Sequence, residues 1–255
     1  MMETDADTAP ALEIVDLSFA YGATKALDRV SLTAPRGAFT ALLGVNGAGK
    51  TTLFNLVTRL FAAREGRISV CGCDIRGAPR DAMARMGVVF QSRALDANLT
   101  VAQNAAYHGA LHGLPRADAL ARAEAALAQV GLLDKMGEKV GRLSGGQQRR
   151  AEIAQALLHE PELLLCDEPT TGLDLESRAA IVRDAHALAA ERGVGVLWAT
   201  HLIDEVAPAD RVVVLHKGRV RAAGTASDLA GDGALSDMFL KLTRAPEAAV
   251  EEAGA

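Results

Sequence analysis

The sequence predicts an α/β protein built on a largely parallel sheet with helices on both faces, and three observations lead there. Short apolar runs of strand length alternate with stretches of helical periodicity. A glycine-rich loop, Gly44 to Thr51, falls between one such strand and one such helix. An Ala-rich helical stretch then interrupts the alternation as an insert.

From the N-terminus, Ile14 to Leu17, Val30 to Thr33 and Phe39 to Leu43 read as strands. They are separated by the turn-forming Tyr21-Gly22 and Pro35-Arg36-Gly37, which makes the opening lobe an antiparallel β subdomain. After the glycine loop, Leu53, Leu56, Val57 and Leu60 recur at helical spacing over Lys50 to Leu60, and Gly66 to Val70 returns to a strand pattern. Gly87 to Phe90 is a further strand. Thr100 to Val130 is helical throughout except at Gly113 to Pro115, with Thr100 as its cap, so a helical subdomain is expected over about 92–148. Ser144 to Leu158 and Ser177 to Ala190 read as helices, and Leu163 to Cys166, Val194 to Ala199 and Val212 to Leu215 as strands. The expected organisation is a flexible start at 1–11, one catalytic domain at 12–244 and a flexible tail rich in Ala and Glu at 245–255.

Composition narrows the partners. A chain of 255 residues that is 49% hydrophobic can bury a sizeable core. Its net charge of -5 offers no basic field to a phosphate backbone, so no nucleic-acid partner is expected. The start of the chain lacks the basic and apolar segments of a signal peptide, and no window approaches the ~18 apolar residues of a membrane span. Cys71, Cys73 and Cys166 form no Cys-x-x-Cys pair and read as reduced packing residues. A metal site on Cys71 and Cys73, placed on one face of a strand by their alternation, is the weaker alternative. His108 and His112 lie four apart on a helix, but with no third carboxylate or Cys ligand nearby they read as an incidental surface pair.

Three motifs carry chemistry. Gly44-Val45-Asn46-Gly47-Ala48-Gly49-Lys50-Thr51 matches the loop in which backbone N–H groups wrap phosphates, Lys reaches the β and γ phosphates and Thr holds Mg²⁺. The helix that opens there adds its positive end. Leu163 to Asp167 and Glu168 place two carboxylates at the end of an apolar strand: Asp167 for the metal's water shell and Glu168 to accept a proton from water attacking the γ-phosphate. Leu143-Ser144-Gly145-Gly146-Gln147 opens a helix with a capping Ser and two glycines that expose N–H groups to an anion.

Together these motifs resemble the nucleotide-binding subunit of an ABC transporter, over nearly all of Leu12 to Leu242. The resemblance makes Gly44 to Thr52 the Walker A loop, Leu163 to Glu168 Walker B and Leu143 to Gln147 the signature, on an ABC-type P-loop NTPase fold. It implies further roles. Tyr21 would stack on adenine, Gln91 would touch metal or water and sense the membrane partner, Asp174 in Thr171-Gly172-Leu173-Asp174 would communicate across a dimer, and His201 would bond the γ-phosphate. Val45 and Leu175 stand where the family usually has proline, and neither change removes a catalytic group.

The resemblance also implies ATP and Mg²⁺ as cofactors and a head-to-tail dimer in which Ser144 and Gly146 of one copy clamp the γ-phosphate held by Lys50 of the other. Separate integral membrane permeases are the implied partners, with the chain cytoplasmic and peripheral on the inner face of the cell membrane. Leu99 to Asn104, Tyr107 and Leu111 to Leu114 look like ATPases of ABC-2 type exporters. Thr58-Arg59-Leu60 and Val196 to His201 are similar to a subgroup that accompanies quinoprotein alcohol dehydrogenase systems. A soluble ABC ATPase without a transport role, such as the iron-sulfur cluster assembly ATPase, is the alternative. Its signature usually departs from the Leu-Ser-Gly-Gly-Gln that is intact here.

Overall fold

A computed structural model describes residues 9–244; the expected flexible ends fall largely outside them. Ala11, at the inner limit of the first, is buried and its carbonyl accepts from the Cys71 N–H.

The chain opens on β1 (Leu12–Tyr21) and β2 (Thr24–Ala34), a hairpin closed at Tyr21 and Thr24 around the expected Gly22 turn. Both strands run well beyond the short apolar runs that announced them, because their outer residues face water. β3 (Phe39–Leu43) leads through the glycine loop to α1 (Lys50–Val57). β4 (Glu65–Val70), β5 (Cys73–Asp74), α2 (Pro79–Ala84) and β6 (Met86–Val89) follow. Cys71 and Cys73 do not share a strand face as expected: Cys71 lies in the turn between β4 and β5 with φ +49°. The Cys71 thiol is buried, and burial pushes it up to about 11.

The helical insert holds α3 (Val101–Leu111), capped by a reciprocal Thr100–Gln103 box, and α4 (Arg116–Gln129). Gly113 to Pro115 breaks the helix where the sequence indicated. Then come α5 (Gly145–Ala156), β7 (Leu163–Asp167), α6 (Leu175–Arg192), β8 (Gly195–Thr200), β9 (Arg211–His216), β10 (Arg219–Thr225), α7 (Ala226–Ala230) and α8 (Leu235–Arg244).

Two sheets form. The first is antiparallel, in the order β2-β1-β4-β5. The second runs β10-β9-β3-β8-β7-β6, parallel throughout except for the antiparallel edge strand β10. Its central strands are buried on both faces, and their side chains alternate between two cores as a period of two requires. Leu163 and Leu165 join Leu53, Phe54 and Leu56 of α1 and the inner face of the antiparallel sheet. Leu164 and Cys166 join Ile153 of α5, Ile181 and Leu188 of α6 and Phe239 of α8. A smaller core under Val101, Leu127 and Leu143 holds the helical insert together. Among the described residues no helix is long and apolar enough to cross a membrane.

Candidate functional site

The parallel strands β3, β7 and β8 end at one edge of their sheet, and the chemistry-bearing residues gather there. β3 is buried at all five positions and delivers the chain to Gly44. A side chain at Gly44 is excluded, since a Cβ would lie 2.7 Å from the Leu215 carbonyl oxygen. Gly49 has φ +111° and caps α1 without any side-chain bond, so the first N–H groups of this helix are left to an anion in front of them. The loop is held in shape by its own backbone: the Ala48 N–H donates to Val45, and the Gly218 N–H donates to Ala48 from the turn between β9 and β10.

Lys50 is 5% exposed and folds back over this loop, donating to the Gly44 carbonyl at 2.6 Å. Its Nζ also lies 3.1 Å from Glu168 Oε1, and His201 Nδ1 approaches the same oxygen at 3.4 Å. Glu168 stands just beyond β7 with φ +46°, a conformation that residues with side chains rarely adopt, and its N–H is fixed to the Ala199 carbonyl. Burial pushes the Glu168 carboxyl up, but the Lys50 hydrogen bond and charge, with His201, outweigh it and hold the group below its ordinary value.

Asp167, the last residue of β7, is buried and accepts from the Thr51 hydroxyl. Its Oδ1 has no partner among the described residues, and burial raises its carboxyl. A buried carboxylate oxygen left open beside a hydroxyl of the phosphate loop is the donor set of a hard cation.

Loop residues 46–52, Gln91, Glu168 and His201 line one cleft of roughly 760 Å³, joined by Lys25 and Lys217. This is within the ~300–1,000 Å³ of ordinary ligand pockets. Val45 lies just behind it, its carbonyl turned toward Lys50.

Other expected residues lie outside this cleft. Tyr21 is 46% exposed at its rim, with its hydroxyl 3.4 Å from that of Thr52 and its ring edge-on to Phe19 and Phe61. Ser144 and Gln147 form a reciprocal capping box at the start of α5 and, with Gly145 and Gly146, contribute nothing to the cleft lining. Asp174 caps α6 through the Ser177 N–H and hydroxyl, both at 2.8 Å. Ser177 packs so closely on Gly146 that a Cβ on that glycine would meet the Ser177 hydroxyl at 2.6 Å. The Asp174 turn and the start of α5 thus form one contiguous surface, of which residues 144–147 and Asp174 do not line the cleft.

Some positioning residues escaped the sequence reading. Arg149 of α5, 2% exposed, donates to the carbonyls of Phe90 and Gln91 at 2.7 and 2.9 Å and pairs with Glu152 at 2.7 Å. Glu152 in turn accepts from the Ala94 N–H. The segment carrying Gln91 is therefore fastened to the helix that Ser144 caps. Buried Glu205 accepts from Trp198 Nε1 at 2.9 Å and from the Thr170 hydroxyl, tying the segment after Glu168 to β8. No sequence motif marks these residues; a charged residue in an otherwise helix-core position was the available signal.

Comparison with known proteins agrees with this geometry. Residues 27–171 match the family model described as ABC transporter. The chain is similar to an energy-coupling factor transporter ATP-binding protein, EcfA1, of Symbiobacterium thermophilum, at 38% identity over 86% of this chain and 80% of that one. It is 41% identical to the daunorubicin resistance ATP-binding protein DrrA3 of Streptomyces coeruleorubidus, over 82% of this chain and 66% of the relative. Among solved structures, cbiO1 of Clostridium perfringens, part of the ABC transporter complex cbiONQ, superposes with a TM-score of 0.79 at 30% identity, covering 91% of this chain and 95% of its own. The chain belongs to the ABC transporter ATP-binding family, whose ATPase activity is coupled to transport.

Proposed function

We propose that this chain is the energy-coupling ATPase of an exporter-type ABC transporter, acting with Mg²⁺ as a head-to-tail dimer docked on membrane permease subunits at the inner face of the cell membrane. The observation that carries the reading is the convergence of Lys50, Glu168 and His201 on one carboxylate oxygen inside the phosphate cleft.

In this reading the loop N–H groups and Lys50 hold the β and γ phosphates, and Tyr21 packs on the adenine at the rim. Thr51 and Asp167, with Gln91 across the cleft, fit a Mg²⁺ by the open Asp167 oxygen and the adjacent hydroxyl. The ion would neutralise phosphate charge as it develops. ATP entering between Lys50 and Glu168 would release the carboxylate from its ion pair; without the Lys50 contact that depressed it, burial makes Glu168 more basic and so better able to accept the proton of the attacking water. His201 holds the γ-phosphate end.

Ser144, Gly145, Gly146 and Gln147 do not line this cleft, and with Asp174 they would complete the cleft of a second copy. Exposed Tyr107 and Leu111 on the helical insert offer apolar surface for a permease. The export direction rests on the exporter-like segment from Leu99 to Leu114 together with similarity to the daunorubicin resistance protein. Affinity purification of the tagged chain from membranes tests it. The expected result is copurification of an integral membrane permease without an extracytoplasmic binding protein. A soluble scaffold as the sole partner overturns transport, and a permease with a binding protein overturns export.

A further inference from the structure

Far from the motifs, the fold brings three histidines together. His108 lies on α3, His112 caps its C-terminal end, and His159 sits in the turn between α5 and β7. One nitrogen of each ring lies within 4.8 Å of the others. The sequence showed no third carboxylate or Cys ligand beside the pair; the fold adds a third imidazole, His159, from a distant part of the sequence.

The hydrogen bonding of these rings fixes their chemistry. His159 Nε2 faces the Met86 carbonyl oxygen at 3.1 Å. A carbonyl can only accept, so Nε2 carries the proton, and in the neutral ring Nδ1 is a bare lone pair. Nδ1 is buried without a hydrogen-bond partner, and so is Nε2 of His108. The His159 Nδ1 lone pair and the unpartnered His108 Nε2 both lie in the cluster, where a neutral imidazole nitrogen can ligate a metal.

Three imidazoles crowd one point with two buried nitrogens unsatisfied, an arrangement that is costly unless something electrophilic sits between them. A donated N–H from a ligating ring to a backbone carbonyl, as His159 gives to Met86, is the usual support of a metal-binding histidine. All-imidazole ligation suits borderline ions such as Zn²⁺, Cu²⁺ and Ni²⁺ and is poor for Mg²⁺ or Ca²⁺.

We propose that His108, His112 and His159 form a binding site for a borderline divalent cation of the Zn²⁺ type, separate from the nucleotide cleft. The ion clamps the C-terminal end of α3 to the segments that begin β6 and β7. The nitrogens of a tetrahedral site with bonds of about 2.0–2.1 Å stand about 3.4 Å apart, whereas the ring nitrogens here lie within 4.8 Å of one another. His112, exposed and stacked on His159 at 3.8 Å, would turn its ring to close that gap as the ion binds. β6 runs on toward Gln91 and β7 ends at Asp167, so the ion would fasten the helical insert to the two strands that lead into the nucleotide cleft.

The test is calorimetric titration of Zn²⁺ into the metal-free full chain at pH 7.5 without nucleotide, with Co²⁺ absorption as a second readout. We expect one equivalent bound at micromolar affinity or better, and visible Co²⁺ bands of nitrogen ligation. His112→Ala, at an exposed position, should weaken this binding at least tenfold with unchanged circular dichroism, whereas Cys71→Ser/Cys73→Ser should leave it intact. Absence of Zn²⁺ binding at 100 µM, or equal affinity in His112→Ala and the parent, overturns the proposal.

Discussion

Lys50 Nζ and Glu168 Oε1 lie 3.1 Å apart, so the phosphate-loop lysine and the carboxylate meant to activate water are paired with each other. The pair is largely buried, with side chains 5% and 12% exposed. On the proposed mechanism nucleotide would take Lys50 from Glu168, and this carboxylate would become available as the substrate arrives. Glu168→Gln should therefore keep ATP affinity within a few-fold and lose turnover by about 10²-fold or more, the usual worth of a positioned general base. Phosphate release and nucleotide binding measured side by side check this. Turnover equal to the parent's removes Glu168 from the mechanism.

Lys50→Ala acts on both halves of the same pair. It should weaken ATP binding at least tenfold, measured by fluorescence with a labelled nucleotide. It also takes away the first of the influences that depress the Glu168 carboxyl, leaving burial to raise it. The sign follows from linkage. A depressed carboxylate contributes stability above its unfolded value of ~4.3 and loses it as pH falls through the lower folded value. The stability gap between the parent and Lys50→Ala should thus be widest near neutrality and narrow in acid. Urea midpoints at pH 7 and pH 4 report it, and a gap that widens in acid contradicts the pairing.

Glu168, Lys50 and the strand before each were legible in the sequence because local patterns carry them: a glycine spacing, and an apolar run ending in two acids. Arg149 was not, since its partners, the Phe90 and Gln91 carbonyls, belong to another element, and a helix sequence does not reveal which of its charges is turned inward. His159 was hidden for the same reason. Short elements at the sheet edges, β5 and α2, carry too few residues to show a period, and α7 and α8 follow the last strand that apolar content could mark.

The buried Arg149–Glu152 pair should accordingly be expensive to break. Arg149→Ala leaves Glu152 in the interior without its partner and frees the carbonyls before and at Gln91, a loss of about 3–5 kcal/mol by analogy with other severed buried pairs. Denaturant unfolding measures it. Arg149→Lys should recover only part, because a single ammonium cannot span both carbonyls and the carboxylate. Full recovery by lysine contradicts the forked contact.

His186 offers a pH dependence of opposite sign. It stacks on Phe39 at 4.0 Å and bonds Asp210 at 2.9 Å, and that bond raises its pKa above the ordinary value despite partial burial. A raised histidine contributes stability fully below its unfolded value of ~6.5 and loses it as pH rises through the folded one. His186→Gln should then cost about 1.5–3 kcal/mol at pH 6, the range of a hydrogen bond to a charged group, and less at pH 9. Thermal melts at the two pH values decide; a larger penalty at pH 9 refutes the assignment.

The proposed dimer makes a prediction that no single-chain site shares. The cleft at Lys50 contains no residue of 144–147, and Ser144, Gly146, Ser177 and Asp174 form a separate contiguous surface. If two copies exchange these surfaces, Ser144→Arg and Lys50→Ala should each abolish turnover alone, yet regain part of it when mixed. In the mixed pair, one cleft combines the intact Lys50 of the first copy with the intact Ser144 of the second, and the other cleft carries both defects. A site confined to one chain gives no intact combination in any mixture, so turnover that stays at zero across all mixing ratios, with both variants folded, excludes the shared cleft.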